Sequence, residues 1–101
     1  MYQARVKETL SPKQGPPVIV LPCVEAETRL GDVQATERRL RAKQRDLGAT
    51  RAILLVADTR HNRRVITVVP DLTRQFPVGT RGCLAAFRAG RDPGADCLVI
   101  L

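Results

Sequence analysis

Apolar residues in this chain come in short runs separated by polar, turn-forming stretches, and the runs differ in character. Val24 to Thr28 alternates small or apolar with acidic side chains and reads as a strand. Gly31 and Asp32 mark a turn, with Asp32 placed to accept hydrogen bonds from the first amides of a helix. That helix is expected to run to about Leu47 and stop at Gly48, a residue suited to the left-handed C-cap. Its apolar stripe is thin: Val33, Leu40 and Leu47 fall seven apart, supported by Ala35 and Ala42. Arg51 to Asp58 then contains AILLVA, an unbroken run of six, which argues for a strand buried on both faces of a parallel sheet. Strand, helix, strand in this order predicts a right-handed crossover. From Arg64 to Pro77 two signals conflict, because VITVV has strand propensity but follows Thr59, a natural helix cap. Thr80 is expected to cap a short helix, Arg81 to Ala89, closed by Gly90. RDPGAD is a turn by composition, and Cys97 to Leu101 is a last buried strand. Before Cys23 the texture changes. Pro12, Gly15, Pro16, Pro17 and Pro22 interrupt any pattern, and only Val18 to Leu21 offers a short strand. The organisation read from the pattern is an irregular arm over residues 1–22 and one α/β domain over 23–101.

A chain of 101 residues holds one small domain. With one Tyr, two Phe and no Trp, its core must be aliphatic. The formal net charge is +7, and nine Lys or Arg against three acids between Glu37 and Arg64 account for most of it. A concentrated basic stretch favours polyanions: nucleic acid first, then an anionic membrane surface or an acidic protein. The same arginines would equally serve as the solvated face of a helix. Cys23, Cys83 and Cys97 form no CxxC pair, which suits free thiols in a reducing compartment. His61 is the only histidine, which argues against a zinc site and a histidine-activated nucleophile. Neither an apolar run near 18 residues nor a leader-like segment is present, so the expectation is a cytoplasmic protein without a membrane partner.

Glu25 and Glu27 stand two apart in a strand and therefore project on the same side. Two carboxylates on one surface can supply the oxygen ligands that Mg²⁺ or Mn²⁺ takes from protein. The alternative is an edge strand with two solvated glutamates. Gln34, one turn above Arg38, would approach them if the turn at Gly31 folds the helix back. Opposite the apolar stripe lie Arg38, Arg41 and Arg45, with Arg39 and Lys43 beside them. Ligands of open α/β sheets bind beyond the carboxyl ends of the strands. Here that position is held by Asp58 to Arg64, including Arg60, Arg63 and Arg64. The segment reads either as a phosphate-facing loop at a helix start or as Thr59 capping a helix whose arginines are solvated.

The wording VEAETRL, DVQATERRL, RAKQRDLG, ILLVADTRHNRR and FPVGTRGCLAAFRAGRDPGADCLVIL resembles the C-terminal domain of actinobacterial helix-turn-helix (XRE-type) regulators, over about residues 23–101. That domain looks like a divergent member of the PD-(D/E)XK nuclease-like superfamily. The resemblance implies a small α/β sandwich around a mixed sheet, with a restriction-endonuclease-like core truncated at its N-terminal strands. Glu25 matches the acidic position of the (D/E)XK element, and Glu27 stands where the superfamily usually has Lys. Gln34, Arg38 and Lys43 are the helix residues that could replace that cation. Superfamily nucleases also carry an Asp on the preceding strand, and no Asp occurs before Asp32. Metal-assisted phosphodiester hydrolysis depends on a complete ligand set.

Three functions stand open at this level. The first is a nucleic-acid-associated regulatory domain of nuclease-like fold without efficient catalysis. It would contact DNA phosphates through Arg38, Arg41, Arg45, Arg60, Arg63 and Arg64. The second is a Mg- or Mn-dependent nuclease using Glu25, Glu27, Gln34 and Lys43. The third is a protein-interaction or dimerisation module, a homodimer being invited by an unpaired sheet edge.

Overall fold

The structure is a computed structural model that describes the backbone of Ala4–Arg5 and of residues 19–101, and side chains from Leu21 onward. Strand β1 (Ala4–Arg5) pairs antiparallel with β2 (Ile19–Val20), Ala4 opposite Val20. The rest of the expected N-terminal arm, residues 1–3 and 6–18, lies outside the described residues.

The remainder is an α/β domain. Its elements are β3 (Pro22–Glu27), α1 (Val33–Leu47), β4 (Arg51–Val56), α2 (Arg60–Val68), α3 (Pro70–Gln75), α4 (Thr80–Arg88) and β5 (Cys97–Ile100). β3, β4 and β5 form a sheet in that order, with Glu25 opposite Leu54 and Leu54 opposite Leu98. A mixed sheet was implied by the resemblance, whereas the described strands of this sheet are all parallel. The antiparallel pair β1/β2 forms a separate ladder.

Local chemistry explains the boundaries. Asp32 Oδ1 accepts from Ala35 N at 3.0 Å, and Gly48, at φ 63°, closes α1 with its N–H on Arg45 O. The ambiguous VITVV stretch is helical through Val68 because Thr59 Oγ1 takes the Asn62 amide at 3.1 Å and starts α2. Val69, the residue before Pro70, leaves the helical region at φ −116° and ψ 83°, and Pro70 starts α3 as its first residue. Thr80 departs from its expected role. Gly79 occupies the N-cap without a side-chain cap, while the Thr80 hydroxyl accepts from Ile100 N at 2.8 Å and ties α4 to the end of β5. In the RDPGAD turn Asp92 receives a forked bond from Arg51, at 2.8 and 2.7 Å, which holds its carboxyl below the usual range.

Strand alternation sends side chains to two cores. On one face Cys23, Ala52, Leu54, Val56 and Leu98 pack against Leu40 of α1 and Leu72 and Phe76 in and after α3. On the other, Ile53, Cys97 and Val99 pack against Cys83 of α4. This two-sided burial is why AILLVA and CLVIL lack polar alternation. Leu47, expected on the α1 stripe, is instead 42% exposed at the helix end, and the buried α1 positions are Thr36 and Leu40.

Candidate functional site

Glu25 and Glu27 project on one side of β3, toward α1, as their spacing requires. Each meets a cation from the helix. Lys43 Nζ lies 2.9 Å from Glu25 Oε2, and Arg39 Nη2 lies 2.6 Å from Glu27 Oε1, with Arg39 Nε 3.8 Å from Glu25. The geometry is a matched ruler. Two strand residues advance about 6.6 Å, four helix residues about 6 Å, and α1 runs back along β3, so 25 meets 43 and 27 meets 39. Contact with Glu25 holds Lys43 protonated above its ordinary range. Beside this ladder opens a cleft of about 670 Å³ lined by Cys23, Glu25, Arg39, Lys43, Asp46 and Leu47.

Of the helix residues expected to replace the superfamily's cation, Lys43 reaches the glutamates, whereas Gln34 and Arg38 do not. Both line a different groove of α1. Arg39 was not singled out, although its i, i+4 relation to Lys43 carries the same spacing signal as the glutamate pair. A divalent cation needs these carboxylates free of competing cations and supported by further oxygen ligands. Here both are covered by α1, and no group of three or more His, Cys, Asp or Glu among the described residues could hold a metal ion. The residues present do not fit Mg²⁺ or Mn²⁺ in this arrangement.

A second site lies between α1 and α3. Gln34, Glu37, Arg38, Arg41, Arg45 and Gln75 line a groove of about 630 Å³, so the three arginines expected to share a face do so. They are not equivalent. Arg41 donates to Asp96 at 2.6 Å and to Gln44 at 2.9 Å, and its guanidinium lies 5.0 Å from the Phe76 ring centroid. Asp96 also takes the Ala52 amide at 2.8 Å, so Arg41 fastens helix to sheet as well as lining the groove. Arg38 and Arg45 flank it, both exposed and without an ion-pair partner among the described residues.

Arg60, Arg63 and Arg64 fall on α2, away from that groove. Arg63 pairs with Asp58 through Nε and Nη2, which lowers the Asp58 carboxyl pKa, while Arg60 and Arg64 are exposed. The most constrained polar residue of this segment is Asn62, which is fully buried. Its Oδ1 accepts from Leu30 N at 2.8 Å, and its Nδ2 donates to Thr28 O and Ala57 O, both at 2.9 Å. His61 Nε2 adds a 2.7 Å contact with Leu30 O. These two residues close the β3–α1 loop onto the start of α2 and serve as structure.

No helix among the described residues is long and apolar enough to cross a membrane. In comparisons with known proteins, no family model, no curated protein and no solved structure matches the chain.

Proposed function

We propose that this chain is a nucleic-acid-associated regulatory domain, of the nuclease-like kind that its sequence resembles, which binds DNA backbone without efficient catalysis. The observation that carries this reading is the division of labour among the cations of α1. Arg39 and Lys43 neutralise Glu25 and Glu27, whereas Arg38 and Arg45 remain unpaired among the described residues on either side of the fixed Arg41. Cations held over a groove of this kind contact phosphates, which set affinity and register but carry no base sequence directly. Arg60 and Arg64 on α2, away from the groove, are further exposed cations. A protein-interaction module is the second reading, favoured by an apolar cleft of about 230 Å³ beside α4, lined by Val24, Leu55, Leu84, Phe87 and Leu101.

The test is binding of a labelled DNA duplex across a salt series, with and without Mn²⁺, followed for cleavage in the same samples. Expected are salt-sensitive binding, no cleavage, and a shallower log–log salt slope, by about one unit per residue, in Arg38→Gln and Arg45→Gln. Cleavage abolished by Glu25→Gln would establish the nuclease instead, and absence of binding at low salt would leave the interaction module.

A further inference from the structure

The groove between α1 and α3 contains, beneath its arginines, an arrangement that phosphate binding does not use. Glu37 of α1 faces Asp71 of α3, near enough for their carboxyl groups to share a hydrogen bond. Glu37 Oε1 is buried and has no hydrogen-bond partner among the described residues. Asp71 is engaged on its other side, Oδ2 accepting from Gln75 Nε2 at 3.1 Å. Two ionised carboxylates only accept, so they cannot bond to each other. One proton between them makes that bond. The charged groups around Glu37 are Arg38, Arg41 and Arg45 on its own helix and Asp71 on α3, with Asp96 behind Arg41. Arg41, the cation acting on Glu37, is committed to Asp96. Burial, with Asp71 second, accordingly pushes the Glu37 carboxyl upward against the weaker pull of Arg41.

We propose that Glu37 and Asp71 form a proton-sharing pair that brakes the arginine groove: ionised, Glu37 repels both Asp71 and a phosphate seated on Arg38 and Arg45, and protonation relieves both. The second half of this statement rests on the polyanion reading of the groove. The sign follows from the raised acid. Its extra stability is fully present below the ordinary Glu range and is lost as pH rises through the raised value.

Glu37→Gln tests it, because the amide keeps the shape and can donate to Asp71 at every pH. Melting temperature is followed from pH 4.5 to 8 for both proteins, and affinity for a short DNA duplex is measured at pH 5 and pH 7.5 at one salt concentration. The melting temperature of the wild type is expected to fall relative to Glu37→Gln as pH rises. The variant should bind the duplex about three-fold tighter at pH 7.5, the scale of one nearby solvent-screened charge, and this ratio should shrink toward one at pH 5. Every other titratable group is common to both proteins, so the difference isolates Glu37. Parallel melting profiles would overturn the pair, and an affinity ratio unchanged between the two pH values would overturn the brake. Should neither protein bind duplex at any pH, the proposed function and the brake fall together, while the melting profiles still decide the proton-sharing pair.

Discussion

At the scale of single residues, the polar side chains divide into those the fold consumes and those it leaves to solvent. Asn62 is the clearest of the first kind. Its amide makes three bonds to backbone groups of two different loops from a position without solvent access. Removing it would strand Leu30 N, Thr28 O and Ala57 O with few alternatives, and unmade bonds in a buried site cost more than made bonds gain. Asn62→Leu is therefore expected to destabilise the domain by roughly 3 kcal/mol, measured by urea denaturation. A loss below about 1 kcal/mol would mean that water replaces the amide. Nothing in the sequence marks Asn62 for this role, because its partners lie up to 34 residues away. A polar residue beside Arg63 and Arg64 reads more naturally as part of a charged surface.

At the scale of elements, what was legible follows what is local. Asp32 and Gly48 delimit α1 through contacts within a few residues, and AILLVA announces a strand buried on both faces. The fate of Arg41 was not legible, since Asp96 lies 55 residues away and only the closed sheet brings them together. The ladder of Glu25, Glu27, Arg39 and Lys43 was half legible: each pair has the right spacing, but their facing depends on α1 running back along β3. That ladder also bears on the outer edge of β3, which pairs with no further strand among the described residues. Leu21 O and Glu27 O bond toward β4, so odd residues of β3 turn their backbone inward and Pro22, Val24 and Ala26 turn theirs outward. Pro22 has no N–H to offer there, and Lys43 Nζ covers Val24 O at 3.2 Å. Proline and lysine at an edge are devices that discourage strand addition, here against the homodimer that an unpaired edge invites. Lys43→Ala should change stability by no more than about 1 kcal/mol, as an exposed ion pair implies. It should nevertheless raise the associated fraction in sedimentation velocity at increasing concentration. Identical sedimentation of variant and wild type would remove Lys43 as an edge guard.

At the scale of the whole molecule, the sheet separates two cores of unequal weight, and the three cysteines report on them separately. Cys23 sits in the larger core, enclosed by α1 and the α2–α3 segment, while Cys83 and Cys97 belong to the smaller one under α4. All three are buried, and desolvation raises each thiol above its ordinary range, so native protein should react slowly with thiol reagents. Access must come from opening. α4 contributes two fully covered residues, Cys83 and Ala86, and the cleft at its side exposes part of the apolar face, so its local opening should cost less than global unfolding. Alkylation at pH 8 under rising, sub-denaturing urea, mapped by mass spectrometry, should therefore modify Cys83 and Cys97 together and ahead of Cys23. The Cys23 rate should track global unfolding followed by circular dichroism. Equal rates at all three positions throughout the series would mean that the two cores open as one unit, and that α4 is held by more than the contacts of the smaller core.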